Sequence, residues 1–289
     1  MLAQQGAFEL VEIIVVDDRS DDAVTADALA RVGEYEVVRV LSNTGRRGPA
    51  ATRNVGIRAA AGDWIAFLDS DDVWLAETLA SFAEIAASEP ECRWLGADMD
   101  KWYEDGHRDS RGGRLAGGRS GPLLRQSGNN GCVRLLRPVE ECIDTNLTWT
   151  STTMARRELL LEIGGYNESL IKSEDAHLWI RLAARTDLWF VPKVLGLYRQ
   201  HEANITAPAD PLDNWSLRAY KALLADPDFR AHRRAIRQRI ARLYRRQGRY
   251  FRARRQFMHA LCAHVNCLRF AFLETKGWRG LAASLLRRP

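Results

Sequence analysis

Short apolar runs and helical patterns alternate along the first third of the chain. Buried strands are predicted for three continuous apolar runs, VEIIVVDD, EYEVVRVLSN and WIAFLDSDD. Helical spacing is found in DAVTADALARV, in PAATRNVGIRAAAG and in LAETLASFAEIAAS, and the second begins with Pro49 and stops before Gly62. This alternation predicts an α/β fold with a mostly parallel sheet and helices on both faces. Ligands of such sheets bind outside the carboxyl ends of the strands.

The pattern is interrupted in the middle of the chain. Residues 108–131 are rich in Gly, Arg and Ser and predict a long loop, which is either a functional lid or a disordered segment. Regular structure resumes with WTSTTMARRELLLEIGGYN. The next stretch, SEDAHLWIRLAART, predicts a helix with Ser173 as its N-cap, and LWFVPKVLGLYRQH predicts a closing strand.

After Pro208 the pattern predicts a basic helical hairpin that breaks at Gly248. Residues 229–273 contain no Asp or Glu, although the whole chain has a net charge of only +5. We favour attachment of this hairpin to an anionic membrane surface, while nucleic-acid binding and a solvated helical cap stay open as alternatives. The hydrophobic-face positions of the two helices are Ile236, Ile240, Leu243 and Gln247 before the break and Phe251, Phe257 and Leu261 after it.

Composition narrows the class of protein. At 289 residues, 46% of them hydrophobic and 27% charged, the chain is large enough for a real core. It has neither a signal-peptide pattern nor an apolar run that could span a bilayer, so we expect a cytoplasmic protein. Its five cysteines form no CxxC pair and predict reduced, ordinary residues. We expect an α/β domain over residues 1–207 and a basic helical region over residues 208–289.

Acidic residues gather where the third predicted strand ends. Asp69, Asp71 and Asp72 lie within four positions, and repulsion between their charges calls for a positive partner. Residues two apart in a strand point the same way, so we expect Asp69 and Asp71 to share a target. A hard divalent cation such as Mg²⁺ or Mn²⁺ suits such oxygen ligands. The alternative is that one Asp caps the following helix and another is merely solvated.

Two enzyme families use an Asp-x-Asp pair at a strand end. In phosphatases of the haloacid-dehalogenase type the pair normally opens the domain, whereas here it follows the third visible strand. The chain more closely resembles the inverting family 2 glycosyltransferases. The resemblance covers residues 10–206 and depends on four ordered motifs, VEIIVVDDRSDD, SNTGRRGPAATRNVGIRAAAGDWIAFLDSDD, GGYNESLIKSEDAHLWIRL and LYRQHEANIT. It implies the nucleotide-sugar-binding fold called GT-A.

The resemblance also implies a donor site. Asp18, or its neighbour Asp17, would accept a hydrogen bond from the nucleotide base. Asn43 and Arg53 would close the nucleoside and diphosphate pocket, and a guanidinium fork suits phosphate. As simpler alternatives, Asn43 forms a turn and Arg53 is a surface arginine.

The same resemblance implies a metal site and a catalytic base. Asp71 would ligate a divalent cation, Mn²⁺ or Mg²⁺, Asp69 would be shared between ribose and metal, and His201 would approach the diphosphate or the metal. Asp175, with Glu174 alongside, would be the general base that deprotonates the acceptor hydroxyl. Alternatively, these two carboxylates interact with a helix dipole, and His201 is a packed or exposed residue.

The implied function is transfer of a sugar, from UDP foremost, to a glycan or lipid-linked acceptor. The competing hypothesis is an inactive remnant that only binds nucleotide sugars or glycans. Family members open with an additional apolar strand and helix, and the chain begins at Met1 near the end of that helix. We therefore expect that the start codon is assigned too late or that the gene is truncated.

Overall fold

A computed structural model describes residues 1–109, 125–201, 212 and 214–286, with only the backbone at 125–127 and 129. The chain divides into two compact units, Met1–His201 and Glu202–Pro289. The predicted lid at 108–131 lies largely outside the described residues, as does the predicted boundary at 207 and 208. Both stay predictions.

The first unit opens with a pair of parallel strands, β1 (Ile13–Asp17) and β2 (Val38–Ser42). They are connected by α1 (Ala23–Val32), which begins where the Asp22 carboxylate accepts a hydrogen bond from the Thr25 amide at 2.8 Å. The register pairs Ile13 with Val38 and Asp17 with Ser42, so the carboxyl ends of both strands lie side by side.

A second, larger sheet contains the other described strands. Its order along the main path is β3, β9, β5, β10, β8 and β7, with β4 paired to β10 and β6 to β5. In chain order the strands are β3 (Trp64–Phe67), β4 (Val73–Trp74), β5 (Trp94–Tyr103), β6 (Arg108–Asp109), β7 (Arg125–Ser127), β8 (Val133–Leu135), β9 (Thr153–Arg156) and β10 (Leu188–Gln200).

The α/β fold class is confirmed, but the strand directions need a correction. Among the described strands only the pairs β1–β2 and β5–β10 are parallel, and the other pairings are antiparallel. β3, β5 and β10 run in one direction, but β9 lies between β3 and β5 in the opposite direction. Alternation of strands and helices does not reveal a strand that enters the sheet in reverse, and for this reason the sheet is mixed.

Besides α1, five α-helices accompany these strands in the described part of the first unit. The apolar spacing of the third predicted helix is confirmed, because Leu79, Phe82 and Ile85 are buried. Phe82 and Ile85 pack with Leu95 and Trp189 in the core of the larger sheet. The helices are α2 (Pro49–Ala59), α3 (Thr78–Ser88), α4 (Val139–Asp144), α5 (Arg157–Glu162) and α6 (Glu174–Ala183).

The helix predicted from SEDAHLWIRLAART is α6. Ser173 stands at its N-cap position, but with a left-handed φ of 62° and no capping hydrogen bond from its side chain, so the predicted cap is wrong in its chemistry. Trp179 is fully buried and stacks on Trp94, with 6.0 Å between ring centroids. Core packing therefore accounts for Trp179.

The second unit is helical in its described part. Four helices follow one another: α7 (Asn214–Ala225), α8 (Arg233–Ala253), α9 (Phe257–Phe270) and α10 (Thr275–Leu285). The predicted break at Gly248 is wrong, because α8 continues to Ala253 and the chain turns at Arg255, whose φ is 58°. Gly248 instead makes room for the His264 ring of α9, since a Cβ there would lie 2.5 Å from that ring.

Within the described residues, none of the helices combines the length and the apolar character that crossing a bilayer requires. All five cysteines are free, as the sequence predicted: Cys92, Cys132, Cys142, Cys262 and Cys267.

Candidate active site

The acidic cluster lies in a turn rather than on a strand. β3 ends at Phe67, and the Asp72 amide donates to the Asp69 carbonyl at 3.1 Å. The alternation rule for strands therefore does not apply beyond Phe67. Asp69 contacts Arg53 and Asp71 contacts His201. That the two carboxylates share a bound cation stays a prediction.

Asp72 is the buried member of the cluster. One of its oxygens accepts from the Ser151 hydroxyl at 2.5 Å and the other from the Arg199 amide at 3.2 Å. Burial raises the pKa of Asp72 to about 7, and the nearby charges of Asp69 and Asp71 add to this rise against the Ser151 hydrogen bond. The Ser151 hydroxyl also accepts from the Asp69 amide at 3.0 Å, so Asp72 and Ser151 fasten the turn to the sheet.

Asp71 faces the end of the closing strand. Its Oδ2 lies 3.1 Å from Nε2 of His201, a residue 130 positions away along the chain. The Asp71 side chain is 37% exposed and that of His201 is 25% exposed, so both reach solvent. The structure thus brings together two of the three residues that the sequence assigned to a cation.

Arg53 bridges two acidic residues from different parts of the fold. From α2, one terminal nitrogen donates to Asp69 at 2.6 Å and the other to Glu174 at 2.8 Å. Its guanidinium carbon also lies 5.3 Å from the centroid of the Tyr166 ring. Burial disfavours the charged guanidinium, but the acidic neighbours outweigh burial and raise the pKa of Arg53 above its usual range. Arg53 is therefore a partly buried cation that connects the acidic turn to the start of α6.

The two carboxylates at the start of α6 differ in environment. Glu174 is buried, and burial together with the charge of Asp175 raises its pKa against the attraction of Arg53. Asp175 is only partly buried, and its Oδ2 accepts from the Asn146 side chain at 3.0 Å. Glu174 thus holds Arg53, whereas Asp175 is positioned by an amide.

The carboxyl ends of β1 and β2 form a second cluster. Asp18 accepts from the Asn43 side chain at 2.6 Å and from the Gly48 amide at 2.7 Å, directly before α2. Asn43 is buried and also donates to the Arg46 carbonyl at 2.7 Å. Asp17 instead accepts hydrogen bonds from Ser20, which hold its pKa below the usual range. Of the two neighbours, Asp18 is thus tied to Asn43, while Asp17 closes the turn after β1.

The side chains of this region fit a hard cation only if a bound substrate supplies further oxygen ligands. Among the described residues, no group of three or more His, Cys, Asp or Glu side chains could hold a metal ion. Asp71 and His201 offer one carboxylate and one imidazole that already lie within hydrogen-bond distance. Mn²⁺ and Mg²⁺ commonly take one or two protein ligands and complete their shell with substrate phosphate and water. The Asp71–His201 pair is compatible with that kind of site.

Several residues of this region were not predicted to contribute. Ser151, Asn146 and Tyr166 hold Asp72, Asp175 and Arg53, respectively. Asn146 and Ser151 lie between the long loop and β9, and Ser151 is part of WTSTTMARRELLLEIGGYN, for which only regular structure was predicted. A signal was present only for Tyr166, which lies in the quoted motif GGYN.

Comparisons with known proteins give one family model and several similar proteins. The family model "Glycosyl transferase family 2" matches residues 1–163, a range that ends before Glu174, Asp175 and His201. The succinoglycan biosynthesis protein ExoO of Rhizobium meliloti is 45% identical over 29% of this chain and 23% of its own length. The uncharacterized protein MT1568 of Mycobacterium tuberculosis is 30% identical over 71% of this chain and 62% of its own length. The M. tuberculosis pre-mycofactocin glycosyltransferase is 28% identical over 64% of this chain and 37% of its own length. The chain thus spans less than two thirds of the length of these curated relatives.

Solved structures share the fold. S. aureus TarS 1–349 in complex with UDP-GlcNAc has a TM-score of 0.62 and 19% identity, and the match covers 99% of this chain and 82% of that one. The mannosyltransferase PcManGT of Pyrobaculum calidifontis was solved in complex with GDP-Man and Mn²⁺. It has a TM-score of 0.53 and 18% identity, and the match covers 96% of this chain and 76% of that one. At these identities the likeness concerns the fold.

Proposed function

Because the chain belongs to glycosyl transferase family 2, we propose that it transfers a sugar from a nucleoside diphosphate, UDP foremost, to an acceptor hydroxyl with inversion. The observation that carries the proposal is the meeting of Asp71 and His201 at 3.1 Å, beside the Asp69–Arg53–Glu174 bridge. These residues come from four separate stretches of sequence and surround one edge of the fold. The TarS and PcManGT structures, which were solved with UDP-GlcNAc and GDP-Man, support a nucleotide-sugar donor.

In this proposal the donor binds along the carboxyl ends of β1 and β2. Asp18 accepts a hydrogen bond from the base, and Asn43 keeps the Asp18 carboxylate in place. Asp69 accepts from the ribose, while Arg53 fixes Asp69 and adds positive charge near the diphosphate. Because Arg53 already forms two ion pairs, its main role in this proposal is to position Asp69 and Glu174. Direct contact with phosphate is its secondary role.

We assign Asp71 and His201 as the protein ligands of a divalent cation, Mn²⁺ or Mg²⁺. When bound there, the cation stabilises the negative charge that grows on the leaving diphosphate. Asp71 would contribute a carboxylate oxygen and His201 an imidazole nitrogen, the two groups that lie 3.1 Å apart.

Asp175 is the proposed general base. Inversion requires a base on the face of the sugar opposite the leaving group, where it takes the proton of the acceptor hydroxyl. Asn146 orients the Asp175 carboxylate with a 3.0 Å hydrogen bond. Glu174 is less suited to this task, because it is buried and already engaged by Arg53.

The acceptor is proposed to be a glycan or a lipid-linked glycan of a polysaccharide pathway, by analogy with the succinoglycan protein ExoO and the O-antigen biosynthesis protein RfbC of Myxococcus xanthus. We propose residues 1–207 as the catalytic domain. The basic helices of residues 208–289 would contact the inner membrane surface, where lipid-linked acceptors reside.

The test is release of nucleoside diphosphate from a panel of sugar nucleotides with Mn²⁺. Asp71→Ala should abolish the metal-dependent rate, whereas Asp63→Ala, which removes an exposed carboxylate near β3, should not change it. Asp175→Asn should lower the turnover number by about 10²–10⁴-fold with little change in donor affinity. Donor binding with no release in the wild-type protein would support the inactive remnant instead. Equal rates in Asp71→Ala and wild type would refute the proposed metal site.

A further inference from the structure

The corner between α9 and α10 exposes large apolar side chains at its tip. Leu273 is 89% exposed and Phe272 is 67% exposed, and both lie between Phe270, where α9 ends, and Thr275, where α10 begins. Trp278, in the first turn of α10, is 44% exposed. Solvent exposure of three large apolar residues within seven positions is unfavourable in water, so the corner is suited to an apolar environment.

The corner is held in shape by its own contacts. The Trp278 indole N–H donates to the Phe272 carbonyl at 2.8 Å, and the two rings meet edge to face with 5.3 Å between centroids. The Glu274 side chain accepts from the Gly277 amide at 2.5 Å and so caps α10. Leu273 and Phe272 are thus presented by a built turn.

Several basic residues lie near this apolar tip. Arg237 of α8 donates to the carbonyls of Arg269 and Phe270, at 3.1 and 3.3 Å, which places its guanidinium at the last turn of α9. Arg269, Lys276 and Arg279 are exposed within a few positions of the tip. The one acidic residue of the corner, Glu274, is paired with Arg245.

We infer that this corner, formed by Phe272, Leu273 and Trp278, inserts into the interface of an anionic lipid bilayer. The inference rests on the peripheral membrane contact proposed above and names the residues that make it. Phe272 and Leu273 would enter the acyl boundary, Trp278 would lie at the headgroup level with its apolar ring and polar N–H, and the four exposed cations would face lipid phosphates. The combination of exposed apolar side chains with exposed cations nearby matches the acyl boundary and the phosphates of an anionic bilayer.

The charge complementarity decides between lipid classes. Each Lys or Arg near an anionic surface contributes attraction that salt screens, and apolar insertion is largely independent of salt. Binding should therefore require anionic lipid, weaken with salt, and retain a residual component that comes from Phe272 and Leu273.

The test is sedimentation of the full chain with vesicles of phosphatidylcholine alone and of phosphatidylcholine with phosphatidylglycerol, at low and high salt. Phe272→Ser/Leu273→Ser should lower the partition coefficient on anionic vesicles by about tenfold or more. Met258→Ser is the matched control, because Met258 is 71% exposed on the same helix, about 20 Å from the corner, and should bind like wild type. Because all three side chains are exposed, these changes create no cavity.

The possible results distinguish insertion of the tip from membrane contact through other parts of the basic helices. If the Phe272→Ser/Leu273→Ser variant binds vesicles as strongly as wild type, insertion of the tip is refuted. The membrane contact would then be made by the basic helices. Absence of wild-type binding to anionic vesicles, or equal loss in Met258→Ser, overturns the inference. Release of nucleoside diphosphate, measured on the same samples in solution, reports on the enzymatic proposal independently.

Discussion

Replacing Arg53 with methionine tests whether this partly buried cation holds the acidic turn to α6. The change keeps the aliphatic stem and removes both ion pairs, to Asp69 at 2.6 Å and to Glu174 at 2.8 Å. The side chains of Arg53 and Glu174 are only 16% and 10% exposed, whereas that of Asp69 is 33% exposed. Glu174 therefore suffers most from the loss of the cation.

The magnitude follows from this difference in burial. Removing one partner of a buried ion pair lowers the free energy of unfolding by about 3–5 kcal/mol. Water compensates part of the loss at Asp69, and Glu174, whose pKa burial already raises, can take up a proton. We expect Arg53→Met to lower the free energy of unfolding by about 3 kcal/mol at pH 8.

The pH dependence has a definite sign. Without Arg53, the pKa of Glu174 rises further above its value of 4.5 in the unfolded chain, so the folded variant binds a proton that the unfolded chain releases. Stability of the variant therefore falls as pH increases above about 5. The difference from wild type should be larger at pH 8 than at pH 5, where Glu174 is protonated in both folded proteins.

The assay is urea unfolding followed by tryptophan fluorescence at both pH values. Arg58→Met is the matched control on the same helix, because Arg58 is 59% exposed and its contact with Glu168 is 3.5 Å. It should change the free energy of unfolding by less than about 0.5 kcal/mol. Adding Glu174→Gln to Arg53→Met should recover about 1–2 kcal/mol. The reasoning is refuted if Arg53→Met is as mild as Arg58→Met, or if the double variant is no more stable than Arg53→Met alone.

Three further predictions concern other buried groups. Asn43→Ala removes a buried amide that makes several hydrogen bonds, so it should lower the free energy of unfolding by about 2–3 kcal/mol. It should also weaken donor binding in calorimetry, and unchanged donor affinity would contradict the placement of Asn43 in the donor site. Burial lowers the pKa of His264 to about 4 from 6.5, so stability should drop by about 3 kcal/mol as pH falls from about 6.5 to 4, and His264→Leu should lose this acid sensitivity in thermal melts. Gly165→Ala should strongly lower the free energy of unfolding in urea, because the new Cβ would lie 2.3 Å from Oδ1 of Asn54. Gly106 has a similar positive φ with open space around it, so Gly106→Ala should lower the free energy of unfolding by only about 1–2 kcal/mol. Equal losses in the two variants would show that backbone strain alone decides.

The sequence predicted the α/β class because the burial of a residue is encoded by local periodicity. The apolar runs that became β1, β2 and β3 end where the predicted site residues begin. Asp18, Asn43 and Asp69 therefore follow their strands as expected, and Asp18 and Asn43 are in contact at 2.6 Å. The helical spacing of α3 was likewise readable, because its buried face is continuous.

Strand direction and helix continuity were decided by packing. β9 enters the larger sheet in reverse between β3 and β5, a choice that its four residues do not encode. Gly248 has poor helix propensity, which predicted a break, but the cost of about 1 kcal/mol is small against the packing of α8 on α9. Tertiary contacts thus overrode a local preference.

By itself, the sequence determined which residues carry charge, where the strands end and which faces are apolar. Only the tertiary structure decided the partners of those charges: that Arg53 joins Asp69 to Glu174, that Asp71 meets His201 across 130 residues, and that Ser151 holds Asp72. The physical reason is that periodicity reports burial within a few residues. Ion pairs and hydrogen bonds depend instead on distances of a few ångströms between side chains that the chain brings together only after the sheet has formed.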